Sequence, residues 1–119
     1  MAIQGPLRQG FIYQADVPGA KHNPRPVIVL NTLLAPALND IVHVVGISGS
    51  QLPNPLPAHY ILLPSHPNRH GMTGLNKPCV AKCDWTPKFE AWRFRSLRGR
   101  VPPELWARIR AQVTLFGST

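Results

Sequence analysis

The sequence predicts a mainly β domain closed by one C-terminal helix. Fourteen prolines and nine glycines cut the 119 residues into short pieces, which suits strands and turns and works against long helices. The apolar runs between these breaks are short, and several alternate with a period of two, as half-buried strands do. Helical spacing is confined to the last stretch. A chain of this length buries one modest core. The reading is a loose start over residues 1–9 and a single domain over 10–119.

Taken in order, "FIYQADV" sets Phe11, Tyr13, Ala15 and Val17 against Ile12, Gln14 and Asp16, a half-buried first strand. "PGAKHNP" is a loop. "PVIVLN" is a β-branched run consistent with a strand buried on both faces, and "NDIVHVVGISGS" repeats the pattern after a turn at "LND",. "SQLPNPLP" is a loop, "AHYILLP" a further strand, and "SHPNRHGMTGLNKP" a long, basic, glycine-containing connection of the kind that carries function. "CVAKCDW" reads as a strand with Cys79, Ala81, Cys83 and Trp85 on one face and Val80, Lys82 and Asp84 on the other,. "FRSLRGRV" makes a last, basic strand. "PPELWARIRAQVTLF" places Leu105, Ile109, Val113 and Phe116 at helical spacing. Its prolines fall in the first turn and Glu104 near the positive end of the dipole.

Thirteen Lys and Arg against five Asp and Glu leave a net charge of +8, which draws polyanions at long range. Nine of the thirteen cations are arginine, whose fork fits phosphate better than ammonium does. Nucleic acid is therefore the leading partner class. No run reaches the length of a membrane span, and the first ten residues lack a signal peptide's apolar stretch,. A cytoplasmic protein that does not engage a membrane is expected. Cys79 and Cys83 lie about 13 Å apart if their segment is a strand, too far to bridge. Their spacing also disfavours zinc. Two reduced thiols and no cofactor are expected.

No phosphate-binding glycine loop, helical H-E-x-x-H or nucleophile elbow is present, and five scattered carboxylates poorly suit a two-metal nuclease,. Cations, hydroxyls and histidines remain. They suit metal-free RNA cleavage through the neighbouring 2′-hydroxyl, which needs proton transfer from that oxygen, stabilisation of a crowded anionic phosphorus and protonation of the departing 5′-oxygen. Arg25, held between Pro24 and Pro26 at the mouth of a strand, fits the middle role: it stays charged and presents two parallel donors. The alternative is an ordinary sheet-edge charge paired with Asp16 or Asp84.

The order of "GFIYQADV", "RPVIVLN", "IVHVVGIS" and "GLNKPCVAKCDW", followed by a helix beginning "PPELWARI", resembles the MazF/PemK family of toxins over about residues 9–115. The resemblance implies an SH3-like β-barrel of CcdB/PemK type with a C-terminal helix. It also implies a homodimer that cuts single-stranded mRNA without metal at selected sequences and is restrained by a cognate antitoxin. It assigns Arg25 to the transition-state charge and Ser48, where the family often has threonine, to the 2′-hydroxyl. Phe11 and Trp85 depart from the family, which commonly has an acidic residue and a glutamine there.

Lys21, His22, His66, Arg69, His70, Lys77, Lys82, Trp85, Arg95 and Arg98 are the candidates for gripping RNA, the cations on phosphates and the aromatic ring on a base. His66 or His70 offers a second mechanism, as a loop acid or base in place of Ser48. Ser48 could equally be a plain strand terminator. The rival functional class is a non-catalytic binder on the same barrel, either a CcdB-like topoisomerase poison working through "AQVTLFGST" or a degenerate homologue that only binds nucleic acid.

Overall fold

All six strands marked out above form, and the computed structural model, which describes residues 5–49 and 52–117, assembles them into one antiparallel sheet. They are β1 (Phe11–Ala15), β2 (Arg25–Val29), β3 (Ile41–Ser48), β4 (Tyr60–Leu63), β5 (Cys79–Lys82) and, after a further strand β6 (Lys88–Glu90), β7 (Phe94–Arg100). The helix α1 (Pro103–Gly117) ends the chain. The strand order is β4-β5-β3-β2-β1-β7, with β6 on β3.

The class is mainly β, as expected, but among the described residues the sheet is not a closed barrel: its ladder runs from β4 to β7 without the two ends pairing. The long strand β3 shapes it. Ile41, Val42 and His43 pair with β6, whereas Gly46, Ile47 and Ser48 pair with β5. One strand thus joins two different neighbours, and both faces of the sheet carry buried residues.

Two buried clusters result. Ile12, Ile28, Val45, Ile47, Ile61 and Ile109 belong to one, which α1 covers through Leu105, Trp106 and Val113. Tyr13, Ala15, Val27, Val29, Val44 and Phe94 belong to the other. The expectation of a half-buried β1 therefore fails, because Ile12 faces one core while Tyr13 and Ala15 face the other. Each fully buried Ile, Val or Phe contributes about 1.5–3 kcal/mol, and with both faces covered successive residues of one strand collect it.

Other expectations are corrected in detail. The described part of the N-terminal segment is anchored: Leu7 is fully buried and exchanges two backbone hydrogen bonds with Leu33, each 2.8 Å. Phe116 leaves the apolar stripe of α1 and lies against the His59 ring, with centroids 4.7 Å apart. Cys79 and Cys83, in contrast, are free and buried, in keeping with the two reduced thiols expected. Trp85 does not share their face. The strand stops at Lys82, and a turn closed by Trp85 N–H on the Lys82 carbonyl (2.8 Å) carries the indole to the opposite side.

Candidate active site

The register of β2 against β3 brings the two principal candidates together. Val27 pairs with Gly46 and Ile28 with Val45, so continuing that register outward sets Arg25 opposite Ser48. Opposed residues of an antiparallel pair share a face. Both side chains line one open cavity of about 550 Å³, together with Lys21, His22, Lys82, Asp84 and Trp85.

The loop that delivers Arg25 is tied down. Asn23 accepts a hydrogen bond from the Val17 N–H (2.9 Å) and donates one to the Val17 carbonyl (3.0 Å), so the chain re-enters the sheet at Arg25 directly from a pinned turn. The guanidinium is then held by three features. Its Nη2 donates to the Ile47 carbonyl at 2.7 Å, its carbon lies 4.8 Å from the centre of the Trp85 ring, and its Nε is buried without a partner. Burial lowers its pKa from the usual arginine value, yet a guanidinium so placed stays cationic at neutral pH.

The carboxylates that could have neutralised it are engaged elsewhere. Asp16 accepts from Arg95 Nε (3.0 Å) and Nη2 (2.7 Å), and Asp84 lies 3.5 Å from His59 Nε2. Among the described residues, none pairs with Arg25. A half-buried cation that lines an open cavity and has no carboxylate partner among the described residues is arranged to accept an anion,.

Trp85 and Gly46 are matched. A Cβ on Gly46 would fall 1.9 Å from Trp85 Cε3, so the indole lies directly on the glycine backbone, and Gly46 N–H closes the contact on the Trp85 carbonyl at 2.9 Å. The ring therefore serves as the wall behind Arg25, with Lys82 Nζ 5.8 Å from its centre. Its contact area is spent largely on the protein, which leaves it less of an open stacking platform than its sequence neighbourhood suggested.

Of the twelve candidate residues, Arg25, Ser48, Lys21, His22, Lys82 and Trp85 meet in this cavity. Lys77 lines a second cavity with His22 and Arg25. Arg98 is close by in bonding: Gln14, with its amide turned to satisfy both neighbours, donates to the Arg25 carbonyl (3.2 Å) and accepts from Arg98 Nη2 (3.0 Å). Arg98 Nε is likewise buried and unpartnered, and its pKa is lowered by burial first and by Arg69 second. His66 and His70 stack on each other at 5.4 Å and line neither cavity. Arg95 is committed to Asp16. Sequence reasoning missed Asp84 as a member of the site, since alternation alone set it on a strand face and the turn after Lys82 has no residue signature.

Comparison with known proteins identifies the family and the fold. A family described as "PemK-like, MazF-like toxin of type II toxin-antitoxin system" matches residues 8–116. A toxin of Mycobacterium tuberculosis, MazF-mt6, has a similar structure at 18% identity and TM-score 0.66, covering 91% of this chain and 96% of that one. A mycobacterial endoribonuclease solved with its cognate antitoxin is similar at 14% identity and TM-score 0.62, over 92% and 93% of the two chains. A MazE-MazF structure from Deinococcus radiodurans is similar at 17% identity and TM-score 0.61, over 98% and 97%. No curated protein matches in sequence. Among the described residues, no helix is long and apolar enough to cross a membrane.

Proposed function

The chain belongs to the PemK-like, MazF-like toxin family of type II toxin-antitoxin systems, and on that premise we propose that it is an endoribonuclease that cuts single-stranded mRNA at the Arg25 cavity without a metal cofactor. One observation carries the reading: a half-buried guanidinium with no carboxylate partner among the described residues shares an open cavity with Ser48 and three further basic side chains, Lys21, His22 and Lys82.

The chemistry follows from the residues. Arg25 takes the scissile phosphate and stabilises the extra negative charge as the 2′-oxygen adds to phosphorus. Ser48 orients the 2′-hydroxyl. A serine hydroxyl is a weak base, so the proton passes to Asp84, the one carboxylate among the cavity's described lining residues,. The 2′-oxygen to phosphorus bond forms and the phosphorus to 5′-oxygen bond breaks. The leaving oxygen takes a proton from His22, which lines this cavity and the second one. The products are a 2′,3′-cyclic phosphate and a 5′-hydroxyl end. A single carboxylate is too few to hold a metal pair, which favours the metal-independent route. The protein acts as a cytoplasmic homodimer, and its antitoxin lays an acidic segment over the basic cavity.

The test is to incubate the purified protein with mixed RNA in EDTA and to map the ends. Discrete cuts with cyclic-phosphate and 5′-hydroxyl termini are expected, lost in a folded Arg25→Ala variant. RNA left intact by a folded wild type rejects the reading. Growth arrest that survives Arg25→Ala but disappears on deleting residues 115–119 would point to the topoisomerase-poison class instead.

A further inference from the structure

Arg25 is a wall between two cavities, and the ribonuclease reading uses only one of them. We propose that the second cavity holds and selects the nucleobase immediately 3′ of the cut, with Lys77 donating to an acceptor on that base's edge. The inference rests on the reading above. It assigns a place along the RNA strand as well as a ligand.

The placement comes from the chemistry. A phosphate seated on Arg25 leaves one neighbouring nucleotide on each side, because the guanidinium lines both cavities. The attacking 2′-hydroxyl belongs to the nucleotide on the 5′ side, and the group assigned to it, Ser48, lines the first cavity. The departing 5′-oxygen and its nucleoside must then lie toward the second.

The second cavity has the form a base needs. Its volume is about 390 Å³, and Pro24, Pro26 and Ile47 supply apolar walls. Cys79 lines it too, its thiol turned to the Lys77 carbonyl at 3.4 Å and so engaged within the protein. Gly49 keeps the slot open: a Cβ there would lie 2.9 Å from Lys77 Cε and 3.1 Å from Cys79 Sγ. Apolar walls with one polar donor at the rim are how small flat ligands are gripped and oriented. The lysine is exposed, carries three donors and has no acceptor,, so it discriminates bases by where their edges present oxygen or ring nitrogen. A lysine that merely touched phosphate would weaken binding equally for every sequence.

Cleavage of a randomised RNA in EDTA, followed by sequencing of the downstream fragments, reads the first base after each cut. Binding of oligonucleotides carrying a 2′-deoxy block at the cut and differing only in the next base is measured in parallel. Wild type is expected to favour particular bases at that position. Lys77→Met is expected to flatten the preference by about tenfold, the loss of one charge-assisted hydrogen bond, while leaving the base on the 5′ side of the cut unchanged. Gly49→Leu, which fills the slot, is expected to weaken binding of all bases there, and the surface position of Lys77 keeps the test informative should that variant not fold. Equal weakening for every base in Lys77→Met, or an unbiased first base in wild type, overturns the proposal. If the folded wild type cuts nothing, the ribonuclease reading fails, and the blocked oligonucleotides still decide whether the slot selects a base.

Discussion

Arg25 and Arg95 are two arginines on strands of the same sheet with opposite surroundings. Arg95, at 49% side-chain exposure, makes two hydrogen bonds to Asp16 and is satisfied within the protein. Arg25 bonds a single carbonyl, rests against an indole and keeps a buried Nε with no partner. The first arrangement ties the residue that follows β1 to β7, distant in sequence. The second holds a charge ready for a ligand and gives up the stability a carboxylate would have provided. Net charge of +8 does not separate the two; only their partners do.

The contrast can be broken most strongly at Arg25 itself. Arg25→Lys keeps the charge but loses the fork, and cleavage of a defined RNA should fall by about 10²–10³-fold, with an unchanged circular dichroism spectrum. Retained activity would show that charge alone suffices and that the fixed geometry is incidental. Gly46→Ala attacks the wall behind that charge. Its methyl group cannot coexist with the Trp85 ring in place, so thermal or urea unfolding should register a loss of about 1–3 kcal/mol together with reduced cleavage.

Alkaline pH sharpens the comparison from the core side. Burial, aided by the Asp84 charge, pushes the Cys83 thiol up to about 11 from an ordinary value of 9.0. The unfolded chain therefore loses this proton first, so the thiol's share of stability is intact below about pH 9 and declines as pH rises toward 11, by about 2 kcal/mol. Urea unfolding across that range should show the decline in wild type and a shallower one in Cys83→Ala. The smallest effect belongs to the satisfied arginine: Asp16→Asn should cost about 0.2–1 kcal/mol and leave RNA cleavage unaltered. A large loss of cleavage there would erase the distinction between the two arginines.

Much of this architecture was legible in residue order. Alternation and proline breaks located six strands and the helix, because each rests on local preference and short-range periodicity. β6 was not legible: "KFE" is three residues with no repeat to read, and it becomes a strand only because Ile41, Val42 and His43 of β3 offer it an edge. The half-buried reading of β1 failed for a related reason, since alternation shows that two faces exist but not that both will be covered.

Within the site, Arg25 and Ser48 could be proposed from their positions at a strand start and a strand end, yet their meeting depends on the β2–β3 register. Asp84 and Trp85 enter the cavity through a turn that strand periodicity mistook for a continuing strand. What the sequence determined by itself is the inventory and its local order: short strands, a terminal helix, a cationic surplus and an arginine framed by prolines. Which cations stay unpaired, which ring lies on which glycine and which two cavities Arg25 divides were decided by tertiary structure. Pairing, burial and close approach depend on residues far apart in the chain, and only the folded sheet brings those together.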